Sequence, residues 1–411
     1  MTNTVCSNIS ATKTKINILL LTILLIADIC LYTSKTASIY WMVTTGVIIT
    51  NALLNFRTIS IKAHSFYNWI TLVYILIVAY GTFYLRIGEF DTTKIIIRYC
   101  QCVTYYSLLL DIIRDDYDTI WYPTLYTSIG VIVFLLSREL GAILVGGTRI
   151  GDSLSGNTNL VGFSFGMLSL IASWIYSRKK NIVVLCILIL LILFAFLSGS
   201  KRVIIILAFD LLLIMILGEK SASKWIKVFI AFLVSIYLIF EVPYFYEIIG
   251  RRIEAMMGVF LGKEQAYSYS TTERETMLKE AWRLFLKEPV FGNGYNAFWS
   301  NTATVHTYSH SNYSEILCSF GLFGLILFYS KHLYILKRIF TLKTSQAKMC
   351  REVAVFAAVN SILAIIIDWS QVVFSQQAIW YFPIILACCM NEKNEIMLVD
   401  QNNNNNKREG C

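Results

Sequence analysis

Long apolar runs recur along almost the whole chain, and they constrain its fold more than any other feature. The runs extend from residue 16 to residue 390, and each can cross a hydrocarbon core of roughly 30 Å as a helix. Lipid offers the backbone no hydrogen-bond partners, so such runs form helices. The composition agrees, because 56% of the residues are hydrophobic and 15% are charged, against about a quarter in soluble domains. The chain is therefore predicted to be an all-α polytopic membrane protein.

About twelve transmembrane helices are predicted from these runs. They lie near residues 16–33, 38–56, 67–86, 94–112, 120–136, 158–177, 181–198, 202–218, 225–241, 312–332, 352–368 and 372–390. If the N-terminus is cytoplasmic, the loops on that side are the ones rich in Lys and Arg, as the positive-inside rule requires. An even number of spans then returns the C-terminus to the cytoplasm.

We predict a single polytopic membrane domain over residues 1–400, followed by a disordered, Asn-rich cytoplasmic tail over residues 401–411. The net charge of +9 is attributed to cytoplasmic loops that face anionic lipid. Membrane lipid is therefore an expected partner, and nucleic acid is not. The predicted location is the bacterial inner membrane, with both termini in the cytoplasm.

Several cations fall on the outer side, against the positive-inside pattern. They are Arg149, Lys201, Arg202, Arg251, Arg252 and Arg274. One explanation is that each side chain extends to the lipid headgroups. The alternative is a cationic pocket for a phosphorylated substrate, since guanidinium groups bind phosphate oxygens in a bidentate way. The sequence leaves both explanations open.

One large outer loop, residues 242–311, is predicted to contain an amphipathic helix. Thr272 and Glu275 have the spacing of a capping box, and the helix is expected to run to about Lys287, before Pro289. Its apolar residues recur at helical spacing, so that face is predicted to lie on the bilayer or on the spans. Arg274 falls in the first turn of the predicted helix.

Histidines are rare in this chain, and their positions limit the candidates for acid–base chemistry. His310 is predicted to lie where the outer loop meets a span, and it is either a general base or an interface histidine. His306 is four residues earlier, a spacing that suits zinc on a helix, but the residues between them favour a loop. His64 and His332 are predicted to be cytoplasmic. We expect no metal site and no cofactor.

The motifs around His310 resemble those of the superfamily of O-antigen ligases and Wzy-type polymerases. His310-Ser311, nine further residues and Gly321-Leu322-Phe323-Gly324 match the family's H-[NSQ]-x9-G-x-x-G pattern. Three other segments match in the family's order along the chain. These are Ser198-Gly199-Ser200-Lys201-Arg202, Arg274 at the head of a helix, and Glu288-Pro289-Val290-Phe291-Gly292-Asn293-Gly294. Asn157-Thr158-Asn159 looks like the family's N-x-N segment. The sequence departs from the family in one place, because Lys201 stands where members often have arginine.

The resemblance implies a GT-C-like, metal-independent and inverting glycosyltransferase that uses an undecaprenyl-diphosphate-linked oligosaccharide. It implies that His310 is the general base, and that cations bind the departing diphosphate. The predicted diphosphate-binding residues are Arg202, Arg274, Arg149 and Lys201. Supporting roles are predicted for Arg251, Arg252, Asn293, Asn312 and Glu315.

Three functions remain open at this point. A polymerase would join lipid-linked repeat units for O-antigen or capsule, and a chain-length regulator protein would be an expected partner. A ligase would transfer the glycan to the lipid A core instead. A flippase for the same lipid-linked units belongs to another class, but transporters usually have internal repeats and charges near the membrane midplane. The polymerase is the preferred prediction.

Overall fold

The computed structural model describes most of the chain, and every regular element in the described part is helical. The described residues are 2–33, 35–55, 66–84, 92–145, 149–151, 157–218, 222–260, 269–302, 308–341, 348–374 and 378–393. The all-α prediction is therefore confirmed over these residues.

Fifteen helices are numbered here in chain order. They are α1 (Thr2–Cys30), α2 (Ala37–Asn55), α3 (Phe66–Tyr84), α4 (Thr92–Ile112), α5 (Trp121–Val145), α6 (Thr158–Lys179), α7 (Ile182–Leu197), α8 (Arg202–Leu217), α9 (Ala222–Glu241), α10 (Arg251–Phe260), α11 (Tyr269–Lys287), α12 (Ala297–Asn301), α13 (Asn312–Thr341), α14 (Lys348–Ile367) and α15 (382–393). Short helical turns occupy Tyr117–Ile120, Pro243–Phe245, Tyr246–Gly250, Asp368–Ser370 and Ala378–Tyr381.

Six of the described helical segments are long and apolar enough to cross a membrane, or seven if a pair bent by 85° counts as one span. The bent pair is Leu233–Glu241 with Pro243–Ala255. These helices support a membrane-embedded protein. The predicted number of twelve spans is not confirmed, although a helix covers each predicted span up to residue 368. In the large loop, α11 begins at Tyr269, before the predicted capping box, and α10 was not predicted.

The chain divides into two compact units. The first contains residues 1–53 and 111–267, and the second contains residues 54–110 and 268–411. The single membrane domain predicted for residues 1–400 stays a prediction.

The first unit is built around α6, which packs on α7 and α8. Glycine allows this close approach, because a Cβ atom at Gly166 would lie 2.5 Å from the Ile206 side chain of α8. Ser169 and Ser173 donate hydrogen bonds of 2.7 and 2.9 Å to the buried carboxylate of Asp210. The carboxylate within a predicted span therefore joins α8 to α6.

The second unit packs α11, α3 and α14 against α13. The buried core beneath α11 consists of Met277, Ala281, Leu284, Phe298 and Cys318. The predicted apolar face of α11 therefore lies on the helix that follows His310. A second apolar stripe of α11, with Leu278, Trp282 and Leu286, is exposed.

Candidate functional site

The Ser198-Gly199-Ser200 triplet forms the turn between α7 and α8. Gly199 has a φ angle of +62°, in the left-handed region that favours glycine. A Cβ atom there would lie 2.9 Å from the backbone oxygen of Ile248 and 3.0 Å from the Arg149 side chain. The triplet therefore needs glycine at its centre both for its backbone conformation and for the close approach of its neighbours.

Two of the predicted arginines hold this turn. The Arg149 Nε donates to the backbone oxygen of Ser198 over 2.8 Å, and the Arg252 Nη1 donates to that of Gly199 over 2.6 Å. Arg149 also donates from Nη2 to Asn159 over 3.0 Å. Hydrogen bonds from ionised donors are stronger than neutral ones, so these contacts fix the turn firmly. Arg149 and Arg252 are thus tied into the fold at the place where the sequence predicted a phosphate site.

The predicted Asn157-Thr158-Asn159 segment meets the same turn. The Asn157 side chain caps α6 by accepting hydrogen bonds from the backbone N–H groups of Asn159 and Leu160. This cap directs Asn159 toward Arg149. Gly162, one turn later, packs so closely on Ser198 and Ser200 that a side chain there would collide with them.

Lys201 and Arg202 follow the turn directly, at the N-terminal end of α8. Both side chains are half-buried. A helix N-terminus favours anions because its first backbone N–H groups are unpaired within the helix. Arg251 is different, since it is exposed and pairs with Glu247 over 2.9 Å, one turn away on the surface.

In the second unit, α13 is broken at Gly321, where φ is +61° and ψ is −159°. The backbone groups freed by this break are paired with the segment 289–294. The N–H groups of Leu322 and Phe323 donate to the backbone oxygens of Pro289 and Val290, over 2.9 and 3.0 Å. The break divides α13 into a short half, 312–320, and a long half, 322–341.

The same segment also pairs with the other side of the break. The N–H groups of Asn293 and Gly294 donate to the backbone oxygens of Cys318 and Ser319, over 2.8 and 2.9 Å. The Asn293 side chain donates to the backbone oxygen of Leu284 over 2.8 Å and so adds the end of α11. Asn293 therefore joins three segments of the second unit.

The glycines of the two motifs make this pairing possible. A Cβ atom at Gly292 would collide with the backbone of Ser319 and Phe320, and one at Gly321 would collide with that of Pro289 and Val290. Both have positive φ angles. The sequence motifs 288–294 and 321–324 thus pack directly against each other.

His310 lies at the start of the short half of α13. Its φ angle is +58°, a strained conformation for a residue with a side chain. The imidazole is half-buried and packs on the Tyr308 ring, with 4.4 Å between ring centroids. Strained backbone is common at functional sites, where the surrounding contacts hold it.

Glu315 holds the turn that carries His310. Its carboxylate is fully buried, and Oε2 accepts a hydrogen bond of 2.7 Å from the backbone N–H of Ser309. Ser314 donates to the Ser309 hydroxyl over 2.8 Å and to the backbone oxygen of Ser311 over 3.1 Å. These contacts hold Ser309 and Ser311, the residues directly before and after His310.

Asn312 anchors the same half-helix to the segment that follows α14. Its Nδ2 donates to Asp368 over 3.0 Å, and its Oδ1 accepts from the backbone N–H groups of Val373 and Phe374. Tyr329 also donates to Asp368, over 2.8 Å. Asn312 is buried, and its Nδ2 also donates to the Tyr329 hydroxyl over 3.1 Å. Asp368 was missed as a site residue, and its one sequence signal was a carboxylate within a predicted span.

Arg274 lies in α11 with its side chain exposed. In the part of the chain that the structure describes, no ion pair joins it to a carboxylate. Arg283, two and a half turns later in the same helix, is also exposed but pairs with Glu280 over 2.9 Å. Arg274 is thus exposed to solvent and not held by an ion pair within the described residues.

The predicted site residues divide between the two units. Arg149, Lys201, Arg202, Arg251 and Arg252 lie in the first unit. Arg274, Asn293, His310, Asn312 and Glu315 lie in the second. His306 falls outside the described residues, so the zinc alternative with His310 stays untested.

Residues 184–329 match the family model described as O-antigen ligase. This stretch is similar to the O-antigen ligase family. It contains the 198–200 turn, Arg274, the 288–294 segment and His310, and it ends within α13. The resemblance predicted from the motifs is confirmed. No curated protein matches the chain significantly.

The stretch that matches the family does not include every residue that holds the 198–200 turn. Arg149 and Asn159 precede it, yet Arg149 donates to the Ser198 backbone oxygen and to the Asn159 side chain. Enzymes of this family are glycosyltransferase-like and act on lipid-linked oligosaccharides. The match by itself does not separate polymerases from ligases.

Proposed function

We propose that the protein is a polysaccharide polymerase that joins undecaprenyl-diphosphate-linked oligosaccharide units at the outer face of the bacterial inner membrane. The observation that carries this proposal is the interlocked pair of family motifs, 288–294 with Gly321, which presents His310 at the start of a broken helix. A broken helix in a membrane protein is a usual place for a polar site, since its freed backbone is covered by protein.

In the proposed reaction, His310 accepts the proton of an acceptor sugar hydroxyl. The hydroxyl oxygen forms a bond to the anomeric carbon of the donor, and the bond from that carbon to the diphosphate oxygen breaks. The diphosphate leaves with the bonding electron pair and stays on its lipid. Because a single displacement occurs on the face opposite the leaving group, the configuration at the anomeric carbon is inverted.

For the departing diphosphate, stabilisation of its negative charge by cations matters more than protonation by an acid. It is already a good leaving group, so no carboxylate pair of the kind used by glycosidases is required. We assign this stabilisation to Arg274 on α11, which lies in the same unit as His310. For Lys201 and Arg202, at the start of α8, diphosphate binding stays a prediction from the sequence. Arg149 and Arg252 act indirectly in this proposal, because their guanidinium groups hold the turn before α8.

Surface glycan from cells that lack the chromosomal gene tests the proposal, with each variant supplied from a plasmid. The wild type is expected to restore a ladder of long chains on a gel. His310→Asn is expected to abolish the ladder while preserving the backbone, since asparagine tolerates positive φ. A full ladder with His310→Asn at normal membrane abundance would exclude His310 as the base.

Arg274 has a matched control in the same helix. Arg274→Ala is expected to shorten or abolish the ladder, because it removes a proposed diphosphate-binding cation. Arg283→Ala is expected to leave the ladder unchanged, and it is a matched control because its side chain is also exposed on α11.

Single repeat units on the surface acceptor of the deletion strain indicate loss of a polymerase. No glycan on that acceptor indicates a ligase. Purified protein that moves the lipid across vesicles without lengthening glycan indicates a transporter.

A further inference from the structure

The helix α11 has an exposed apolar stripe beside the face that packs in the second unit. The packed face forms the buried core described above, which includes Cys318 of α13. The stripe consists of Leu278, Trp282 and Leu286, which are 39%, 57% and 59% exposed. Residues four apart in a helix lie on one ridge, so these three form a continuous apolar strip along α11. The packing of α11 on α13 leaves this stripe open within the described residues.

A charged ridge runs along the other side of the stripe. Its members also follow one another at intervals of four residues and are all exposed, and they are Glu275, Lys279, Arg283 and Lys287. Lys279 pairs with Glu275 and Arg283 with Glu280, over 2.8 and 2.9 Å. The apolar stripe thus lies between a face packed on protein and a ridge suited to water. This pattern is typical of a helix at a membrane surface, whose apolar side contacts lipid.

The height of α11 relative to the membrane follows from the break in α13. The candidate span Asn312–Ile339 has 28 residues, which gives roughly 42 Å at 1.5 Å per residue and exceeds a hydrocarbon core of roughly 30 Å. The long half alone, 322–341, is about 30 Å long and is sufficient to cross the core. Gly321 therefore lies near the boundary of the core. The end of α11 is fixed there, because the N–H groups just after the break donate to Pro289 and Val290.

The lipid-facing surface of this span continues toward α11. Leu322, Phe323 and Ile326 of the long half are exposed, and exposed apolar side chains on a membrane span face lipid. The Phe323 ring packs on that of Phe291, with 5.9 Å between centroids, and Phe291 is exposed as well. Exposed apolar residues therefore continue from the span, through Phe291, to the end of α11 that carries Leu286. A large exposed apolar surface of this kind marks an interaction site, and its continuity with the span identifies the bilayer as the partner.

We propose that the stripe of α11 lies on the outer leaflet of the bilayer and so places Arg274 at the level of the lipid phosphates. Arg274 comes four residues before Leu278 and begins the ridge that forms the stripe, whereas Arg283 lies on the charged ridge. The diphosphate of a polyprenyl-linked substrate lies at the same level, because its isoprene chain is held in the hydrocarbon core. The substrate therefore reaches Arg274 along the membrane surface. This inference deepens the proposed function and rests on it for the identity of the substrate.

Nitroxide labels measure the surroundings of α11 in full-length protein reconstituted in vesicles of phosphatidylethanolamine and phosphatidylglycerol. The labels are attached to p-acetylphenylalanine in place of Trp282 or Arg283, so that the ten native cysteines stay unmodified. At position 282 the label is expected to be more accessible to oxygen, which is apolar, than to a water-soluble nickel complex. At position 283 the order is expected to reverse.

Easy access of the nickel complex at both positions would place the stripe in water and overturn the inference. Shielding of position 282 from both reagents would mean that a second copy of the protein covers the stripe, and would overturn it too.

The glycan ladder tests what the lipid contact does for Arg274. Trp282→Gln is expected to shorten the ladder, whereas Trp282→Phe is expected to preserve it, because phenylalanine keeps an apolar side chain on the stripe. Lys279→Gln, on the charged ridge, is the control and should give the full ladder. Thermal unfolding of each variant verifies folding. A full ladder with Trp282→Gln would contradict the role of the stripe in placing Arg274.

The label measurement does not depend on catalysis, so it separates this inference from the proposed function. A label at position 282 that lies in lipid, in a protein that fails to elongate lipid-linked units in vitro, contradicts the polymerase and supports the membrane contact. Elongation by a protein whose label at position 282 lies in water contradicts only the membrane contact.

Discussion

At the scale of single residues, Gly199 is constrained both by its backbone conformation and by its neighbours. An alanine there is strained by the +62° φ angle and lies 2.9 Å from the Ile248 oxygen. We expect Gly199→Ala to destabilise the protein by about 1–3 kcal/mol and to shorten the glycan ladder. Thermal unfolding of the detergent-solubilised protein measures the first effect. Gly141→Ala is the control, since its Cβ atom would meet no atom within 4 Å, and it should leave both unchanged.

Glu315 gives a second prediction at this scale. Glu315→Leu removes the acceptor for the Ser309 N–H and leaves a buried donor unpaired, which costs about 1–3 kcal/mol. Glu315→Gln retains a carbonyl oxygen that can accept the same hydrogen bond. We therefore expect more activity from Gln than from Leu in the ladder assay, with the exposed Glu288→Gln as the control. Equal loss in Gln and Leu would mean that the negative charge matters, and equal activity in both would remove Glu315 from the support of His310.

At the scale of secondary-structure elements, the break in α13 is the feature on which the candidate site depends. Gly321→Ala favours a continuous helix, which would displace the backbone of Pro289 and Val290. We expect this change to abolish the ladder and to lower the unfolding temperature, and Gly292→Ala to do the same from the other side. Leu322→Ala, at an exposed neighbouring position, should be close to wild type. If Gly321→Ala behaves like Leu322→Ala, the contact between the 288–294 segment and the break at Gly321 has no part in function.

The helix α13 also shows which features of the protein could be predicted from its sequence and which could not. Apolar length predicted the helices, because spanning a bilayer is a local requirement. The break at Gly321 was hidden by an uninterrupted apolar run, and small residues in such a run equally suit helix packing. The role of Arg252 could not be predicted either, because its hydrogen-bond partner, Gly199, lies 53 residues away in sequence. His310 and Arg274 were predicted from their positions in the outer loop and from the order of the motifs, while the contacts that hold His310 were found only in the structure.

At the scale of the whole molecule, the distribution of Lys and Arg predicts on which side of the membrane each loop lies. Arg178 and Lys179 at the end of α6 both pair with Asp118, over 3.4 and 3.2 Å. The positive-inside rule assigns this cationic end to the cytoplasm and the 242–311 loop to the opposite side. The same rule, with an even number of spans, predicts that both chain termini are cytoplasmic.

Reporter fusions test this orientation in living cells. Green fluorescent protein fused after residue 400 is expected to fluoresce, because it folds in the cytoplasm, and alkaline phosphatase fused after Asn301 is expected to be active, because it needs an oxidising compartment. Phosphatase fused after Lys179 serves as the matched control and should be inactive. An active phosphatase at Lys179 with an inactive one at Asn301 would invert the topology and place His310 on the cytoplasmic side, where exported lipid-linked units cannot reach it. A dark fusion after residue 400 alone would require an odd number of spans, and the count of twelve would then be wrong while the outer site stands.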